Sequence, residues 1–199
     1  MSGIINNTKA RSGNNSRNST IVTRHGTGTL QFKFDPRCKT VDINLQGAGS
    51  GAQGAWAGSQ GGFSGGFAGA YGISTSQFTV AERGGETAIT VVVGSRGVTN
   101  GAHNGTDNGA NASNFGNYIA VNGCNAVNDV ISNVTTNLSG VHATQGHSGS
   151  PGGQSLAPTT GGGIFGGGQH GAGAGGGPPG GGGGGNGVGG VCIITQHLE

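Results

Sequence analysis

Charge is scarce in this sequence: only 8% of its 199 residues are Asp, Glu, Lys or Arg, against about 25% in an ordinary globular domain. Seven acidic residues leave few candidates for paired catalytic carboxylates, and no local Cys–His signature occurs. An enzyme is not expected, and no cofactor is. Apolar bulk is short as well, at 31% against about 45–50%, which excludes a large aliphatic core. The three cysteines, Cys38, Cys124 and Cys192, lie far apart without a C-x-x-C pair. Neither a disulfide framework nor a zinc site is suggested, and their pairing stays open. No run of 18 apolar residues exists, so no membrane insertion is expected. The opening MSGIINNTKARSG has no apolar signal region, so synthesis in a cytoplasm is expected.

Glycine fills the gap. It supplies 49 residues, about three and a half times its usual share of roughly 7%. Disordered chains usually carry high net charge, whereas this one has a formal charge of +2 and several β-branched runs. An ordered chain of this kind must pack main chain on main chain, which the absence of a Cβ permits. So thin a core also favours support from a neighbouring subunit.

Seven of the nine basic residues fall within the first 39, opposed there only by Asp35. Residues 1–27 are read as an attachment segment, with Lys9, Arg11, Arg17 and Arg24 as its candidate contacts. A polar terminus without a partner is the competing reading. Nucleic acid is disfavoured as a partner, because the cations are segregated from the aromatics of the glycine blocks.

The remainder, residues 28–199, is read as one glycine-rich β domain. TLQFKF (29–34) and TVDINL (40–45) both alternate with a period of two, and with the turn DPRCK between them they predict a β-hairpin. QFTVA (77–81), TAITVVVG (87–94), Tyr118 to Val121 and VCIIT (191–195) are further strands, with a turn at ERGGE (82–86). Residues 127–138 carry helical spacing through Val127, Val130, Ile131, Val134 and Leu138, but Asn, Val and Thr are poor helix formers. Residues 139–160 read as loop. Glycine blocks occupy 47–72 and 161–190, and the composition of the second is compatible with neither helix nor ordinary strand. Extended three-residue helices without internal hydrogen bonds remain, and these can bond side by side.

Two motifs are misleading. Gly49-Ser-Gly51-Ala-Gln-Gly54 matches G-x-G-x-x-G after a strand, but no helix follows to hold a pyrophosphate. His103, His142, His147 and His170 lack Asp or Glu at ligand spacing, so they read as loop or packing residues. The aromatics Trp56, Phe63, Phe67, Tyr71 and Phe165 interrupt glycine-rich sequence. They can serve as recognition residues or as filler between glycine layers.

The order TLQFKF and TVDINL, GAGSGAQG, QFTVAERGGETAITVVVG, NGANASNFGN, GGGGGGNGVGGVCIIT resembles the glycine-rich domain of bacteriophage tail fibres, spikes and tip adhesins, over roughly residues 28–195. The resemblance implies a small β-sandwich-like strand core with polyglycine II-like loops and little or no helix. It implies a non-enzymatic tail-fibre or tail-spike tip of a virion, made in the host cytoplasm, that contributes to binding a bacterial surface glycan or outer-membrane protein. A purely structural virion protein (tail cap, fibre connector or head decoration) is the alternative. Other tail proteins and a homotrimer are the implied partners. Receptor-binding candidates are Trp56, Phe63, Phe67, Tyr71, Phe165 and His170.

Overall fold

The computed structural model describes residues 19–51, 69–74, 78–99, 107–108, 110–125, 130–146 and 186–198. In chain order the strands are β1 (Ser19–His25), β2 (Gly28–Lys33), β3 (Cys38–Gln46), β4 (Tyr71–Ser74), β5 (Phe78–Thr79), β6 (Ala88–Val93) and β7 (Val98–Thr99). They continue as β8 (Asp107–Asn108), β9 (Ser113–Phe115), β10 (Ile119–Val121), β11 (Val134–Thr136), β12 (Val141–Thr144) and β13 (Val191–Leu198). The fold is all-β, with no helix among the described residues. One sheet has the order β1-β13-β3-β4-β12, with β5 also paired to β3, and a second has the order β11-β10-β9-β6-β2. A two-stranded ribbon, β7-β8, stands apart from both.

Alternation decides what lies between the sheets. Val41, Ile43 and Leu45 of β3 and Ile194 of β13 are fully buried, as are Val91, Phe115, Ile119 and Val121 from the other sheet. These residues belong to one cluster with Phe32, Phe34 and Phe78. Burying a side chain of this size stabilises by about 1.5–3 kcal/mol, so a dozen such residues give a compact core to an apolar-poor chain. Phe78 packs edge-on to Phe115 and tilted on Tyr118, at centroid distances of 6.1 and 4.6 Å.

The expected hairpin of 29–34 with 40–45 does not form. β2 pairs with β6, and β3 pairs with β13, β4 and β5. The turn between them accounts for this. Asp35 accepts from the Arg37 amide at 2.9 Å through its side chain and from the Cys38 amide at 2.8 Å through its carbonyl. Its own amide donates to Gln196 Oε1 of β13 at 2.8 Å. The chain is thereby carried from one sheet to the other, and the alternating faces meet across the core instead of side by side.

Four other expectations change. The strand at 77–81 stops at Thr79, because Thr79 and Glu82 form a reciprocal cap: Glu82 Oε2 accepts from the Thr79 amide at 2.7 Å, and the Glu82 amide donates to Thr79 Oγ1 at 3.2 Å. The turn closes through Gly84 and Gly85, both at positive φ. No helix occupies 127–138 as a whole, since Val134–Thr136 is a strand paired to β10. The loop expected at 139–160 contains β12, which pairs with β4. Residues 19–25, expected within the attachment segment, form β1 and pair along their whole length with β13. The boundary after residue 27 therefore assigns a strand of the sandwich to the attachment segment.

The registers give the sandwich two unlike ends. Ser19 pairs with Leu198, and β2 turns into β3 at 34–37, at one end. At the other end β3 runs out past Gln46, β6 past Val93 and β10 past Val121, while the chain re-enters at 69–70, 110–112 and 186–190. Both termini of the described chain sit at the first end. The undescribed stretches 52–68, 126–129 and 147–185 each begin and end at the second, as does the segment carrying the β7-β8 ribbon.

Candidate functional site

The second end is built from glycine-rich chains that are not strands, and their hydrogen bonds close in a ring. The Gly97 amide donates to the Gly49 carbonyl at 3.0 Å, Gly49 to Val188 at 2.8 Å, and Gly187 back to Gly97 at 3.0 Å. Three segments, 47–51, 94–97 and 186–190, thus each donate to one neighbour and accept from the other. A flat sheet cannot make that pattern, whereas packed polyglycine-type chains can. Gly190 adds a bond to Gly94 at 3.2 Å, Asn111 bonds Ser95 at 3.0 Å, and Ala110 bonds Cys124 at 2.8 Å. The lattice therefore extends to 110–112 and 122–125.

Glycine is required here by closeness of approach. A Cβ on Gly187 would strike the Gly49 carbonyl, and one on Gly123 the Ala110 carbonyl. The side chains filling the interior of this end are small: Ala48, Ala110 and Cys124 form a second buried cluster. Buried polar side chains take up the main-chain groups that no strand satisfies. Ser132 Oγ accepts from the Ala70 amide and donates to the Asn122 carbonyl, both at 2.8 Å. Ser113 Oγ accepts from the Gly94 amide at 2.8 Å, and Gln46 Nε2 donates to the Gly69 carbonyl at 2.7 Å.

Of the sequence-predicted recognition residues, the described residues include Tyr71 alone. It opens β4, half-buried, opposite Gln46 and Thr144 at the glycine end. Trp56, Phe63, Phe67, Phe165 and His170 lie outside the described residues, as do the attachment candidates Lys9, Arg11 and Arg17. Arg24 is exposed on β1, opposite Ile193. β13 and β3 separate its strand from that of Tyr71, so the two do not meet. His142 is a strand residue, opposite Ile73. Ser132, Ser113 and Gln46, which fix the glycine end, were not legible in the sequence. A lone Ser or Gln in polar sequence carries no signal of burial.

None of the three cysteines is in a disulfide, and all three are buried. Burial pushes the Cys192 thiol up to about 12 and, with a smaller opposing effect from Arg83, also raises that of Cys38. Among the described residues no group of three His, Cys, Asp or Glu is placed to hold a metal ion. His197 and Asp42 pair at 2.7 Å on neighbouring strands. No protein-family model matches this chain, and no curated protein sequence matches it.

Proposed function

We propose that this chain is a non-enzymatic bacteriophage virion protein, a tail-fibre or tail-spike tip that contributes to host-surface binding. In this reading residues 1–18 and the end near Leu198 face the tail, and the glycine end faces a bacterial glycan or outer-membrane protein. The protein assembles as a homotrimer with other tail proteins. The observation that carries the reading is the division of labour between the two ends. Chain entry and exit lie side by side at one. The stretches bearing Trp56, Phe63, Phe67, Phe165 and His170 start and finish at the other. A main-chain lattice at the end where long stretches begin and finish suits adhesion, where many weak contacts sum to high avidity.

Adsorption competition tests it. Purified full-length protein is expected to bind host cells and to reduce infection by a phage that carries it. The triple variant Trp56→Ala, Phe67→Ala, Tyr71→Ala is expected to lose cell binding with an unchanged melting temperature. Absence of cell binding by the folded protein, together with failed particle assembly when residues 1–18 are removed, would establish the structural alternative instead.

A further inference from the structure

Apart from the glycine end, the outer face of the second sheet carries a concavity of about 400 Å³, within the range of about 300–1,000 Å³ usual for small-ligand sites. Its floor is low because Ala88 and Gly116 flank Thr90, and Gly116, in the left-handed region, brings no side chain of its own. Around that floor stand Gln31, Thr90, Asn114, Asn117, Glu86 and Tyr118. Gln31 is fixed from the edge strand by donating to Thr90 Oγ1 at 2.6 Å, which leaves its carbonyl oxygen as an acceptor. Tyr118 is held from below by Phe78 and reaches Glu86 Oε2 at 3.4 Å.

We propose that this cleft is a binding site for a neutral pyranoside, separate from the receptor-facing end. The lining offers three side-chain amides, two hydroxyls and a carboxylate, groups that match vicinal sugar hydroxyls as donors and acceptors. An aromatic ring and aliphatic floor residues suit the C–H face of a sugar. One carboxylate and no cation line it, which disfavours anionic ligands. The main chain beneath is engaged in the β2–β6 and β6–β9 ladders. An extended peptide would therefore find few main-chain partners, whereas a saccharide needs only side chains.

The test uses the whole protein, isotope-labelled, titrated separately with the methyl glycosides of glucose, galactose and N-acetylglucosamine, and with glucuronic acid as the anionic probe. At least one neutral glycoside is expected to shift the resonances of Thr90, Asn114 and Asn117, with a Kd of about 1–10 mM. Asn114→Ala with Asn117→Ala is expected to weaken it at least tenfold without moving the melting temperature. Glu86→Gln, an exposed change, gives the same reading should the double variant not fold. No shift with any neutral glycoside, binding of glucuronic acid alone, or neutral binding unaffected by these variants would overturn the proposal. No host cell enters this assay, so its failure leaves the adsorption result untouched.

Discussion

Gly187 offers a sharp test of main-chain packing. Replacing a glycine by alanine at a compatible site stabilises a protein by about 0.4–1 kcal/mol through the unfolded chain. Gly26 is such a site, with nothing within 4 Å of an added methyl group and no positive φ. At Gly187 the added methyl would occupy the place of the Gly49 carbonyl, and the segments 186–190 and 47–51 would have to part. Three bonds of the ring depend on that contact: Gly97 to Gly49, Gly49 to Val188, and Gly187 to Gly97. Each buried main-chain bond contributes about 1 kcal/mol net. Gly187→Ala should therefore cost about 3 kcal/mol by that measure, and Gly26→Ala should be neutral or slightly stabilising. Urea denaturation of the two variants beside the parent protein measures the difference, with the midpoint read at constant m-value. A Gly187→Ala midpoint indistinguishable from that of Gly26→Ala would refute the ring as a source of stability.

Arg83 is 4% exposed, lies 4.0 Å from the centre of the Phe34 ring, and has its Nη2 bonded to the Cys38 carbonyl at 3.3 Å. Its Nε and Nη1 have no partner among the described residues. Arg83→Met should stay within about 1 kcal/mol of the parent, because an apolar replacement removes unsatisfied charge. Arg83→Ala should lose about 2 kcal/mol or more to the cavity. Thermal melts separate the two, and equal losses would contradict the argument. Cys192, with its thiol raised to about 12 by complete burial, should resist alkylation at about pH 8 in the native state and react once urea unfolds the chain; mass spectrometry reads the site. Burial lowers the His25 pKa below its ordinary 6.5. The unfolded chain then binds more protons than the folded one as pH falls through and below 6.5, so stability should drop on acidification there. His25→Gln should flatten that part of the pH–stability profile; an unchanged slope would exclude His25 as its source.

Much of this architecture was readable in the residues. The period of two in TLQFKF and TVDINL put Leu30, Phe32, Phe34, Val41, Ile43 and Leu45 on inward faces, and all are buried except Leu30, which is half-buried against the core. Alternation fixes the face of a strand and says nothing of its partner. The hairpin reading failed on that account, since the bonds of Asp35 to Arg37, Cys38 and Gln196 set the partners. At 134–138 a helical and a strand pattern share Val134, and β-branched neighbours tipped the balance to strand. The expectation of chains packed through bare glycine is realised at Gly49, Gly97 and Gly187, although their closure into a ring depends on residues 48 and 90 positions apart. The cleft could not be foreseen for the same reason. Gln31, Glu86, Thr90 and Asn114 are ordinary outward polar residues until β2, β6 and β9 align them.

The pairing of Ser19 with Leu198 has a further consequence. Paired strands lie only about 4.7–4.9 Å apart, so a polypeptide entering through the first strand departs almost where it arrived. The sandwich can thus be spliced, as a cassette, into a surface turn of a larger protein without prising that turn open. Equally, a short linker across the gap would permit a circular permutant cut at Gly26–Thr27, with every sheet contact retained.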